Sequence, residues 1–104
     1  MEIRKTPVFD RWLKGLGDSN ARFRIYKRIA RLATGNPGDV KPVGDGISEM
    51  RIDYGPGYRV YYRNTGMEII LLLCGGDKRG QQADIERAKQ IAREVEADNG
   101  NQRV

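Results

Sequence analysis

The run IILLLC, residues 69–74, limits the possible folds more than any other part of the chain. It is the longest apolar stretch, bounded by Glu68 and Gly75. It falls far short of the roughly 20 residues a membrane-spanning helix needs. A strand open to water on one side alternates apolar and polar residues, and this one does not. The expectation is therefore a central strand covered on both faces.

The segments before it do alternate. In ISEMRIDY, Met50, Ile52 and Tyr54 fall on one face and Glu49, Arg51 and Asp53 on the other. In YRVYYRN, Tyr58, Val60 and Tyr62 alternate with Arg59, Tyr61 and Arg63. Both have the period of half-buried antiparallel strands. The GPG at residues 55–57 reads as their hairpin turn. With those three residues as the loop, Tyr54 faces Tyr58, Asp53 faces Arg59 and Arg51 faces Tyr61. The apolar sides go to helices, and the other side gathers Arg51, Arg59, Tyr61 and Arg63. Asn64, Thr65 and Gly66 form the next turn, and a short edge strand is expected near residues 40–43.

Helical spacing accounts for the rest. After a first strand, EIRK, the segment TPVFDRWLKGLG carries Phe9, Trp12, Leu13 and Leu16 on one stripe, with Thr6 as cap, Pro7 in the first turn and Gly17 as the stop. In DSNARFRIYKRIARLATG, Asp18, Ser19 or Asn20 caps a second helix that Gly35 ends. Ile25, Ile29, Leu32 and Ala33 face inward. Arg24, Lys27, Arg28 and Arg31 face outward, with no acid in residues 21–33. That basic face fits simple solvation, a surface for phosphate backbone, or an acidic protein partner. DIERAKQIAREVEA forms the last helix, with Ile85, Ala88, Ile91, Ala92 and Val95 on its stripe. The expected class is α+β: an N-terminal strand and helical hairpin packed on a small, mainly antiparallel sheet, then a C-terminal helix. Residues 1–98 make one domain, and residues 99–104 a disordered tail.

Charge narrows the function. Residues 1–80 hold fifteen bases against nine acids, whereas residues 81–104 hold four against five. An excess of that kind attracts polyanions. There is no histidine, which removes serine–histidine and cysteine–histidine catalysis and any His-ligated metal site. Cys74 is the single cysteine, so it forms no internal disulfide and supports no multi-cysteine zinc site. A lone buried thiol and an N-terminus without a signal-peptide core fit a reducing cytoplasm. GGDKRG lacks the spacing of a Walker A loop. What remains is arginine, lysine and tyrosine. Gly75 and Gly76 are expected to end the central strand and let the backbone turn sharply. Asp77, Lys78, Arg79, Gln81 and Gln82 then lie just before a helix N-terminus, where an anion is favoured.

The stretches EMRIDYGPGYRVYY (49–62) and LLLCGGDKRGQQADIERA (71–88), in this order and at this length, resemble the RelE/ParE superfamily of bacterial toxins, and more narrowly its HigB-like addiction module killer branch. The resemblance covers roughly residues 2–97. It implies a toxin of a type II toxin–antitoxin pair that cuts messenger RNA in the ribosomal A site without metal or cofactor, by attack of the 2′-hydroxyl on the adjacent phosphate. Arg59, Lys78 and Arg79 carry over as catalytic positions, and Arg51, Tyr61, Arg63, Asp77 and Gln81 as RNA-binding ones. The implied partners are a helix-turn-helix antitoxin, the ribosome with its mRNA, and operator DNA reached through the antitoxin complex. The sequence departs from the family at Ile85, where RNA-cutting members often carry a tyrosine. Tyr61, Tyr62 in another register, and Lys78 are then the alternatives for the proton acceptor. Two other readings remain open: a ParE-like gyrase poison, and a non-enzymatic nucleic-acid-binding module.

Overall fold

The computed structural model describes the backbone of residues 1–102 and side chains through Glu96. It is an α+β fold. In chain order the elements are β1 (Glu2–Lys5), α1 (Pro7–Lys14), α2 (Ser19–Ala33), β2 (Val40–Gly44), β3 (Ile47–Ile52), β4 (Tyr58–Asn64), β5 (Ile69–Asp77), a 3₁₀ turn (Lys78–Gly80) and α3 (Gln81–Gln102). The sheet order is β1-β5-β4-β3-β2. β1 runs parallel to β5 and every other pairing is antiparallel.

The unbroken apolar run has the expected consequence: β5 lies inside the sheet and is covered on both sides. Phe9, Leu13, Ile25 and Leu32 of α1 and α2 pack with Met50, Ile52, Val60, Tyr62, Ile70 and Leu72 on one face. On the other, Ala88, Ile91 and Ala92 of α3 pack with Ile47, Tyr61, Leu73 and Cys74. Ile85 and Val95 lie against this second cluster, as their stripe requires. The face expected to stand open around the arginines is thus roofed by α3.

Local chemistry fixes the element ends. Thr6 Oγ1 accepts from the Phe9 amide (3.1 Å) and donates to the Leu73 carbonyl (2.6 Å), which caps α1 and ties it to β5 together. Asp18 caps α2, accepting from the Asn20 and Ala21 amides. α1 stops at Lys14 with Gly15 as its cap, earlier than the expected stop at Gly17. α3 begins at Gln81 and continues to Gln102, past the stop expected near residue 98; of the tail, residues 103–104 lie outside the described residues.

Two expectations are corrected. The β3–β4 hairpin closes with Ile52 opposite Tyr58, so its loop is residues 53–57 and the register moves by two. Tyr54 leaves the ladder because its hydroxyl donates to Asp18 (2.7 Å) and its ring lies under Arg24 (4.6 Å). A shift of two preserves faces but changes partners. Arg51 is opposite Arg59, and Glu49 opposite Tyr61. Second, Gly75 and Gly76 do not end β5, which runs on to Asp77. They lie inside the ladder, where a side chain has no room. A Cβ on Gly75 would fall 2.3 Å from the Trp12 ring, and one on Gly76 1.9 Å from Asp84 Oδ2.

Candidate functional site

Two arginines directly opposite each other on adjacent strands repel. Arg51 and Arg59 are held in that position by Glu49, whose carboxylate is fully buried (0% exposed). Its Oε1 accepts from Arg51 Nε (3.1 Å) and Arg59 Nη1 (3.4 Å). Its Oε2 accepts from Gln81 Nε2 (2.8 Å) and the Tyr61 hydroxyl (3.1 Å). Burial alone would push the Glu49 carboxyl up. The bonds from Gln81, Arg51 and Tyr61 and the Arg59 charge outweigh it and hold the group below the usual glutamate range. Four side chains from three elements converge on this one acid.

Exposure separates their roles. The Arg59 side chain is 11% exposed, and its buried Nε has no partner among the described residues. Arg51 is 36% exposed and forms the rim. Tyr61 is completely buried; desolvation and then the Glu49 charge raise its pKa far above the ordinary tyrosine value. Its hydroxyl is committed to Glu49, so it neither meets solvent nor serves as a proton acceptor. Tyr62 packs in the cluster on the opposite face.

The 3₁₀ turn completes the rim. Asp77 accepts from the Arg79 amide (2.9 Å) and pairs with its guanidinium (3.3 Å), which holds the Asp77 carboxyl below the usual range. Arg79 is 87% exposed, so this pair leaves its charge open to solvent. Lys78 is exposed and its stem runs beside Gly57, at the start of β4. Of the residues singled out from sequence, Arg51, Arg59, Tyr61 and Gln81 come together on Glu49, with Asp77, Lys78 and Arg79 in the adjoining turn. Arg63 does not join them. It lies four residues beyond Arg59 on β4, about 13 Å along the strand, and pairs with Glu96 of α3.

Two acids were missed as site residues. Glu49 looked like one half of a surface charge pattern; its alternation with Met50 gave no sign that α3 would bury it. Asp84 read as the first residue of a helix. It lies over Gly76, the ladder partner of Arg59, and within 3.1 Å of a Cβ built on Gly80. Burial raises its pKa, and among the described residues it forms no ion pair. Cys74, beneath it, has its thiol pushed up to about 12 by burial. Among the described residues, no group of three or more His, Cys, Asp or Glu could hold a metal ion, and no helix is long and apolar enough to cross a membrane.

No family model matches the chain, and no solved structure matches it significantly. It is 50% identical over 95 residues to an uncharacterized protein of Haemophilus influenzae, an alignment covering 91% of this chain and 96% of that one. At that identity and coverage, the chain belongs to the same family as the Haemophilus influenzae protein.

Proposed function

We propose that this protein is the toxin of a type II toxin–antitoxin pair, of the RelE/ParE superfamily and its HigB-like branch, and that it cuts messenger RNA on the ribosome without a metal. One observation carries the reading. Arg59 is nearly buried, yet it makes a single long bond to Glu49, so most of its donors are uncommitted beside an exposed rim of Arg51, Lys78 and Arg79. An arginine fixed in that way suits an oxyanion better than it suits packing.

In the reaction the ribose 2′-oxygen attacks the adjacent phosphorus, the bond to the 5′-oxygen breaks, and a 2′,3′-cyclic phosphate remains. Charge builds on the non-bridging oxygens, where Arg59 and Arg51 donate. Lys78 and Arg79 meet the phosphate from the turn, and Lys78 protonates the departing 5′-oxygen. The proton of the 2′-hydroxyl goes to Asp84, whose raised pKa makes it a stronger base than an ordinary aspartate. Glu49, Tyr61 and Gln81 position the arginines. The toxin works in the cytoplasm. A helix-turn-helix antitoxin masks it, and the pair binds its operator DNA.

The test is primer extension on a reporter mRNA incubated with the purified protein, with and without translating ribosomes. Cuts are expected only with ribosomes. They should disappear in an Arg59→Ala, Lys78→Ala variant and weaken in Lys78→Ala alone, which disturbs no packing. Intact mRNA from a preparation that still arrests growth would replace this reading with gyrase poisoning. Intact mRNA and no toxicity would leave a binding module.

A further inference from the structure

A second basic site lies on the α1/α2 face of the sheet, away from the Glu49 network. Arg24, Lys27, Arg28 and Arg31 line a cleft of about 290 Å³ between α2 and the end of β3, with Ile52 and Asp53 as its other walls. The positions i, i+3, i+4 and i+7 put all four cations on one stripe of the helix. Asp53 is the acid among the lining residues, and the charge of Asp39 also acts on Arg28.

Arg28 is the built part. Its guanidinium donates to the Arg51 carbonyl, and to those of Pro37 (3.0 Å) and Asp39 (3.2 Å), so its position is fixed. Burial, and then the charge of Arg31, work against its protonated form, and its buried Nε has no partner. Backbone carbonyls orient this charge, and Asp39 offsets it only in part. Beside the cleft, on the same helix, Phe23 is 62% exposed, and Lys27 lies 5.6 Å from the centre of its ring. A large aromatic left in water next to cations that form no ion pair among the described residues supplies the two components of single-strand nucleic-acid binding: charge for the backbone and a flat face for a base.

We propose that this cleft binds phosphodiester groups of a single-stranded nucleic acid, with Arg24, Lys27 and Arg31 contacting phosphates, Arg28 as the fixed charge, and Phe23 stacking on a base. The site goes beyond the cleavage reading and does not rest on it: it shares the Arg51 backbone carbonyl with the Glu49 network, but none of that network's side chains.

The experiment is fluorescence anisotropy with a short labelled 2′-O-methyl oligoribonucleotide, which 2′-oxygen attack cannot cut, so binding is read even if the protein cleaves nothing. Salt is varied. An Arg24→Gln, Lys27→Gln, Arg31→Gln variant leaves Arg28 and its carbonyl bonds intact. Its affinity at low salt is expected to fall by at least about tenfold, and its log–log salt slope to flatten by about 2, since each phosphate contact on a single strand contributes about 0.7. Phe23→Ala should weaken binding severalfold and leave the slope unchanged. An affinity and slope unchanged in the triple variant would overturn the proposal. So would polyglutamate competing as well as the oligonucleotide together with no effect of Phe23→Ala, which would assign the cleft to an acidic protein. Inorganic phosphate displacing the oligonucleotide at equal phosphate concentration would also overturn it, by showing a site for the free ion. Arg59→Ala, Lys78→Ala should bind this probe through the cleft, so loss of cleavage and loss of binding are separable.

Discussion

Two clusters of positive charge occupy opposite faces of the same sheet and are built in opposite ways. Around Glu49, two arginines, a tyrosine and a glutamine converge on one buried carboxylate, and the cluster is held together by that acid. In the α2 cleft, four cations border a cavity walled also by Ile52 and one acid, Asp53, and the fixed member, Arg28, is held by backbone carbonyls. The first is a compensated network whose acid is indispensable. The second is a surface whose four cations outnumber its acids, Asp53 and the nearby Asp39, so part of its charge is available. The two meet at Arg51, whose carbonyl accepts from Arg28 and whose side chain reaches Glu49. Counting charges on a strand face therefore says little about which of them a ligand can use.

The largest effect should come from removing the acid that the first network needs. Glu49→Gln leaves Arg59 and Arg51 facing each other without a counter-charge in a dry site, at a cost of about 3 kcal/mol in chemical denaturation. The pH dependence gives the same test a sign. The folded-state pKa of Glu49 is lowered, so its contribution is present above the ordinary glutamate range and is lost as pH falls through the folded value. The wild type should lose stability in acid more steeply than the variant. Asp53→Asn, across the sheet, should leave stability almost unchanged and tighten oligonucleotide binding.

The glycines come next. Gly75→Ala drives a methyl into a Trp12 ring that is packed between Phe9 and Tyr58 and cannot rotate away, for a loss of about 1–3 kcal/mol. Gly76→Ala meets only the end of Asp84, a side chain that can swing aside, so its cost should be smaller while cleavage falls more. Thermal melts beside the primer-extension assay distinguish them.

Asp84→Asn should separate stability from activity. A carboxyl with a raised folded-state pKa favours the fold while protonated, and opposes it once pH rises from the ordinary aspartate range through the folded value. The variant should therefore melt higher than wild type at neutral pH, lose that advantage in acid, and cut poorly. The smallest and most local test is Cys74. Under α3, with its pKa near 12, it should resist a thiol reagent until the helix opens, and Glu49→Gln should speed its labelling.

Much of this architecture is visible in the sequence because it depends on period and punctuation. The alternation in β3 and β4, the stripes of α2 and α3, and a cap for α2 within residues 18–20 each follow from a few adjacent residues, and the structure picks Asp18 as that cap. The hairpin register was not visible in this way. Three loop residues and five give the same faces, and the choice depended on Asp18 and Arg24, distant in sequence, capturing Tyr54. The site was half visible. Arg59, Arg51, Lys78, Arg79 and Gln81 stand out by type, but Glu49, which assembles three of them, looks like a solvent-facing acid until α3 covers it. Arg63 shares the pattern of Arg59 and is carried off by Glu96.

Sequence alone thus determined the class of fold, the central place of residues 69–74, the positive balance of the first 80 residues and the exclusion of histidine chemistry. All of these depend on residue type and short-range spacing. Tertiary structure decided which face α3 roofs, which carboxylate is dry, why Gly75 and Gly76 must be glycines, and where positive charge remains unspoken for. Those depend on desolvation and on contacts between residues far apart in the chain, and neither is defined until the helices close over the sheet.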